Sequence, residues 1–172
     1  SLTSPEEKVI SNSIADLSSH AELFDLIGLP QSYDAPLNIH CRQDGDPETV
    51  SSSFLKNFDK LPDNVKNRLV LEVNDNKEGV WSIKNLHKFY YQRANIPVTF
   101  DNLHHSFCHH DVPEREAMDM AHSTWNTTPV FHYSEGIDGT RKHADYALRS
   151  PPDYDKEVFW DVDLKAKDLA IF

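Results

Sequence analysis

Two short apolar runs that stop abruptly on acidic residues constrain this chain more than any other feature. They are RLVLEVND at residues 68–75 and IPVTFDNLHH at residues 96–105. In the first, Val70 and Leu71 lead to Glu72. In the second, Val98, Thr99 and Phe100 lead to Asp101, with His104 three residues on. Apolar, β-branched runs bounded by turn residues and separated by a helical stretch read as buried parallel strands of a βαβ unit. Carboxylates and imidazoles at the carboxyl ends of such strands lie where barrel enzymes place their chemistry.

The rest of the chain repeats this arrangement. Ser4-Pro5-Glu6-Glu7 reads as a helix start, with Ser4 as N-cap, Pro5 in the first position and Glu7 completing a capping box. Ile10, Ile14, Leu17, Ala21 and Phe24 then share one face at helical spacing, up to a stop at Gly28. Leu37-Asn38-Ile39-His40 is a strand ending on a histidine, and Asp46-Pro47-Glu48 caps a helix with Val50, Phe54, Leu55 and Phe58 inward. After the strand at 69–73, Ser82 begins a helix that turns Leu86, Phe89 and Tyr90 inward. The strand at 98–101 precedes a His-rich loop, and Pro113-Glu114 opens a helix bearing Ala117, Met118, Ala121 and Trp125. A fourth strand at 129–132 again ends on a histidine. Residues 134–150 are expected to be mostly loop with a short helix near 142–148, and 158–163 is a fifth strand followed by the start of a last helix.

This alternation implies an α/β fold with a parallel sheet and right-handed crossovers. Eight strands closing a barrel typically need about 250 residues. At 172 residues the chain is expected to form a single domain, 1–172, either an open sheet or about five βα units of a (β/α)₈ TIM-barrel fold. The start at Ser1 without a Met, and the stop at Ile171-Phe172 inside a helical pattern, look like cuts in a longer chain. No GxGxxG, no GxxxxGK[ST] and no internal repeat is present, which weakens nucleotide-binding alternatives.

Composition enters as a filter. A hydrophobic fraction of 38% and an aromatic fraction of 10% suffice for a core. A formal net charge of -11 excludes a basic coat on nucleic acid, but not an acidic pocket neutralised by cations. Cys41 and Cys108 belong to no CxxC pair and read as reduced thiols in a cytosolic setting. No apolar run approaches the roughly 20 residues of a membrane span, so no membrane contact is expected.

The strand ends collect His40, Glu72, Asp101, His104 and His132, then His143 in a loop and Asp163 on the last strand. Any one histidine is more often structural than a ligand; repetition at four or five strand ends changes those odds. Mixed imidazole and carboxylate donors suit Zn, Mn or Fe, and two or three ions about 3.5–4 Å apart can clamp a phosphate and stabilise both attacking and leaving oxygens. His105, His109 and His110 read as exposed loop residues, and His20, His87 and His122 as surface or packing positions on helices. Trp125 and Trp160 read as core, and Glu135 more readily as a loop carboxylate than as one that assists the site.

The strings SPEEKVISNSIADL, LNIH, NFDKLPDNVKNRLVLEVND, IPVTFDNLHH, PVFHYSEG with HADY, and DLKAKDLA resemble the UV damage endonucleases over almost the whole chain. The resemblance implies a (β/α)₈ DNA repair enzyme with up to three divalent ions, usually Mn²⁺, with Zn²⁺ or Mg²⁺ as alternatives. It implies hydrolysis of the phosphodiester immediately 5′ of a UV photoproduct in double-stranded DNA. Position by position, His40, Glu72, Asp101, His104, His132, His143 and Asp163 correspond to metal ligands, with Glu72, Asp101 and His132 nearest the chemistry. Arg42, Arg141, Lys142 and Arg149 are expected phosphate contacts. A monomer is expected, cytoplasmic in a bacterial or viral setting and nuclear in a eukaryote. Three departures stand out: Val130 occupies the place of a modified lysine, Asp163 stands as a shorter carboxylate where the family has a glutamate on the last strand, and the first three strands of the barrel have no counterpart. The competing readings are an apurinic-site endonuclease or sugar isomerase on the same barrel type, and a non-catalytic relative.

Overall fold

The structure is a computed structural model that describes residues 1–41 and 45–170. The first helix, α1, is Glu7–Leu26. It begins later than the capping-box pattern suggests, and no side chain caps it. Ser4 Oγ instead accepts the Glu6 N–H at 3.1 Å, a local turn that competes with the helix for the hydroxyl. The other end is as expected. Gly28 takes φ +80, its N–H reaches Asp25 O at 3.1 Å, and Leu29 N–H reaches Phe24 O at 2.9 Å. That pair of bonds is the Schellman closure, which needs a left-handed residue at the glycine position.

Strand β1 (Leu37–His40) is followed by α2 (Pro47–Phe58), which starts where Pro47 follows Asp46, whose carboxylate accepts Thr49 N–H at 2.9 Å. The one-turn α3 (Asp63–Lys66) leads into β2 (Leu69–Glu72), buried at every residue. Next comes a helical stretch made of α4 (Ile83–Leu86), a π-type turn over His87–Tyr91, and α5 (Gln92–Ala94), ended by Asn95 in the left-handed region at φ 53. Leu86 and Tyr90 are fully buried on it, while Phe89 is half-buried.

Strand β3 (Val98–Thr99) is shorter than its apolar run: its pairing with β2 ends at Thr99, and Asp101, while bridged to His132, caps α6 (Asn102–Phe107). Its carboxylate accepts His104 N–H at 2.8 Å. The stretch expected as a His-rich loop therefore begins as a helix. After α7 (Glu114–His122) come β4 (Val130–Tyr133) and β5 (Phe159–Val162). A 3-10 turn at Lys167–Ala170 then stands where a last helix was expected to start.

β1, β2 and β3 pair in parallel in that order, and β4 pairs in parallel with β5. A parallel bridge between Asp101 and His132, with His132 N–H on Phe100 O at 2.9 Å, carries the order on from β3 to β4. All five strands thus run parallel, in sequence order. The core under them is aromatic: Tyr90 meets Trp81 and Phe54 edge-on at 4.9 and 5.0 Å between centroids, and Trp125 and Trp160 pack around Phe131. Burying each such side chain stabilises by roughly 1.5–3 kcal/mol.

Between β4 and β5 the helix expected near 142–148 does not form. The only helical turn among the described residues of that connection is the 3-10 turn Ile137–Gly139. The amides that a helix would need are taken by other partners: Ala144 N–H by Glu135 O, and Leu148 and Arg149 N–H by the Glu135 carboxylate. Among the described residues no helix is long and apolar enough to cross a membrane.

Candidate metal centre

Alternation along a strand sends every second side chain to the same face. Asn38 and His40 therefore share a face of β1, and Val130 and His132 share a face of β4. Parallel register sets His40 beside Glu72, and Asp101 beside His132. Four strand ends thus converge. His104 joins them from the first turn of α6, where the Asp101 cap fixes its backbone.

Glu72 is the hub. Its Oε1 lies 2.8 Å from His104 Nδ1 and 3.3 Å from His132 Nδ1, and its Oε2 lies 3.5 Å from His40 Nε2. Asn38 Nδ2 donates a hydrogen bond to the same Oε2. Glu72 is 3% exposed and Asp101 1%. Two overlapping sets, His40–Glu72–His104 and Glu72–Asp101–His132, each bring one donor atom per residue within 4.8 Å of one another. His143 and Asp163 form a neighbouring pair at 3.2 Å, and the His143 ring lies 6.4 Å from that of His104.

The donors fit divalent ions. His104 Nδ1 is buried and has no hydrogen bond of acceptable alignment despite its closeness to Glu72. Asn38 Oδ1 is likewise buried and unpaired. A buried ring nitrogen left in this way costs about 1–3 kcal/mol, a cost that coordination would remove. Mixed imidazole and carboxylate donors suit borderline and hard divalent ions such as Mn²⁺ and Zn²⁺.

Electrostatics in the metal-free site follow from the same geometry. Burial pushes the Glu72 carboxyl up, but the His104 and His132 imidazoles and the charge of His40 outweigh it and hold the group far below the usual carboxylate range. Burial depresses His104 and His132, yet Glu72 outweighs it and raises both above their usual 6.5. Burial, with the charge of Glu72 adding to it, raises Asp101.

A raised histidine contributes stability that is complete below its ordinary pKa and lost as pH rises through the folded value. The stability conferred by Glu72 persists until strongly acidic pH. The chain in EDTA is therefore expected to melt at progressively lower temperature as pH climbs from about 6.5, the ordinary value of His104 and His132. Added Mn²⁺ should reverse that slope, because a ligating imidazole must be neutral. Thermal melts across pH with and without Mn²⁺ check both halves.

Sequence reasoning named seven site residues, and the fold brings His40, Glu72, Asp101, His104 and His132 together with His143 and Asp163 alongside. It overlooked Asn38, although a residue two before a strand histidine must share its face. His105 is not exposed: it is buried in α6 with Nε2 at 3.0 Å from Val112 O. Glu135 is no plain loop carboxylate either, being 6% exposed and bonded to three donors. Lys142 and Arg149 are exposed, and Arg141 pairs with Asp75 at 3.2 Å. Arg42 lies outside the described residues.

The family profile described as UV-endonuclease UvdE matches residues 1–172. A UV DNA damage endonuclease of Nostoc sp. is 35% identical over 99% of this chain and 53% of its own length. A UV-damage endonuclease of Neurospora crassa is 31% identical over 99% of this chain and 28% of its own. A solved structure titled as that of SacUVDE superposes with a TM-score of 0.84 at 30% identity, covering 98% of this chain and 58% of that one. The chain thus spans about half the length of the Nostoc relative. These matches lend no support to the sugar-isomerase or apurinic-site readings. With a profile match along its whole length, this chain belongs to the UvdE family of UV-endonucleases.

Proposed function

We propose that the chain carries the metal-binding part of a DNA repair endonuclease that hydrolyses the phosphodiester 5′ to UV photoproducts in double-stranded DNA. The observation that carries this reading is one buried carboxylate, Glu72, shared by three imidazoles, His40 and His132 from strand ends and His104 from α6. When bound, up to three divalent ions, Mn²⁺ foremost and Zn²⁺ or Mg²⁺ otherwise, supply Lewis-acid charge beside the scissile phosphate and make an attacking water more acidic. His40, Glu72 and His104 would hold one ion, Glu72, Asp101 and His132 a second, and His143 with Asp163 a third.

The chain's own residues divide the work. Glu72 stays ionised at every working pH and belongs to both main sets, so it fixes their separation. Asp101 holds His104 in place through the helix cap while offering its second oxygen inward. His132, tied to the ladder by its backbone, presents Nδ1 to the same Glu72 oxygen that faces His104. Arg141, Lys142 and Arg149 ride on the connection that carries His143, which gives an acidic chain a basic rim for phosphates. The Arg141 guanidinium is exposed beside half-buried Asp75, so it can turn to a phosphate at little cost. A photoproduct favours opening, because a damaged base pair costs less to unstack.

Five parallel strands in sequence order support the view that residues 1–172 form one domain and an arc of a (β/α)₈ barrel. A monomer, acting in the cytoplasm or the nucleus, accords with this role. The test is nicking of UV-irradiated supercoiled plasmid with Mn²⁺, beside an unirradiated control. Relaxation confined to irradiated DNA supports the reading. Metal binding without nicking would point to a non-catalytic relative, and equal nicking of both plasmids would remove damage specificity.

A further inference from the structure

The connection that delivers His143 has almost nothing apolar to hold it. Tyr146 is 49% exposed and Leu148 86%, and the 3-10 turn Ile137–Gly139 is its only regular segment among the described residues. It is nevertheless closed at three places by one residue. Glu135 Oε1 accepts Tyr133 OH at 2.6 Å, Leu148 N–H at 2.8 Å and Arg149 N–H at 2.9 Å. The Glu135 carbonyl accepts Ala144 N–H at 2.7 Å, directly after His143. Within the ring so formed, Gly136 and His143 make an antiparallel bridge and Ile137 N–H reaches Lys142 O at 2.9 Å. The turn is so tight that a Cβ at Gly136 would lie 2.2 Å from Thr140 O. The anchor is firm: Tyr133 ends β4, packs on Trp160, and accepts Asp163 N–H on its carbonyl at 2.9 Å. Tyr133 and Glu135 together therefore set both members of the His143–Asp163 pair.

We propose that Glu135 is the positioning residue for His143, acting through the 136–148 loop and not by touching an ion or substrate. The inference rests on the reading of His143 as a ligand. A buried carboxylate oxygen saturated by three donors has no proton to give, which assigns Glu135 a mechanical role. Lys165 N–H on Ala144 O and Ala147 N–H on Ala170 O, both at 3.0 Å, tie the far side of the loop, and Glu135, as an oxygen acceptor of three donors, fixes its near side against β4.

The test uses the full chain and three variants: Glu135→Ala, Glu135→Gln and Glu135→Asp. The first readout is metal-free: imidazole ¹⁵N shifts of His143, with amide exchange at Ala144, Leu148 and Arg149. Glu135→Ala should expose those amides and move His143 to the shifts of a free imidazole, leaving the His104 and His132 rings in place. Glu135→Gln keeps an acceptor and should restore the wild-type signals. Glu135→Asp, drawn back by one methylene, serves if the alanine variant does not fold, and should behave like it. The second readout is Mn²⁺ titration, where the weakest site should loosen roughly 10–100-fold in Glu135→Ala and stay intact in Glu135→Gln. Unchanged His143 signals in the alanine and aspartate variants, or their loss in the glutamine variant, would overturn the proposal. A wild type that binds no Mn²⁺ would instead overturn the metal reading, and the ring signals would still decide the role of Glu135.

Discussion

Glu72→Gln is expected to abolish nicking of irradiated DNA and tight divalent binding together, in a chain that remains folded. The substitution keeps size and shape, so the surrounding packing is undisturbed, and it removes a buried charge whose desolvation was unfavourable. What is lost is the only carboxylate common to both donor sets, replaced by an amide whose NH₂ cannot ligate. Outer partners of metal sites are worth roughly 10–100-fold each, so losing a shared ligand should cost more than about 100-fold. His104 and His132, deprived of the group that raises them, should titrate at lower pH, which ring NMR would show without any metal. Nicking at the wild-type rate in this variant would move the centre away from Glu72.

Arg68→Met is expected to destabilise the chain by roughly 3 kcal/mol, through unsatisfied buried groups. Arg68 is fully buried at the entrance to β2. Its guanidinium donates to Leu29, Pro30 and Asn64 carbonyls at 3.0, 3.0 and 3.1 Å and pairs with Asp25 at 2.7 Å, while Phe24 lies 5.8 Å away beneath it. One side chain thereby closes the end of α1 onto the strand that carries Glu72. Methionine fills most of the volume and returns none of those bonds. For a chain of this length the melting temperature should fall by about 6–12 °C. An unchanged melt would show that the carbonyls find water.

How far the site could be read from sequence depended on which forces were local. Leu37–His40 and the carboxyl ends of β2 and β4 were legible, because an apolar run that stops on a polar residue is a local pattern. The end of β3 was read two residues too long, since its ladder with β2 stops at Thr99 and Asp101 both bridges to His132 and caps α6. His105 followed from that error: α6 is six residues long, too short to show a periodic face. The absent helix at 142–148 has a different cause. Glu135 takes amides 13 and 14 residues away, and no window of sequence reports such a bond. Asn38 escaped notice because its role depends on register with Glu72, a property of two strands at once.

The sequence-order ladder also bears on how such a centre comes into being. His40 to Glu72 is 72 − 40 = 32 residues, Glu72 to Asp101 is 101 − 72 = 29, and Asp101 to His132 is 132 − 101 = 31. Each new donor therefore arrives by closing a loop of nearly the same length onto the donor before it. Closure entropy grows only with the logarithm of loop length, so these three steps carry almost equal costs, and none requires the distant ends of the chain to meet. Separations of 29 to 32 residues are non-local, so each docking step waits on a loop closure before its contacts form. The first donor set, His40, Glu72 and His104, is thus assembled by closures that do not involve β4.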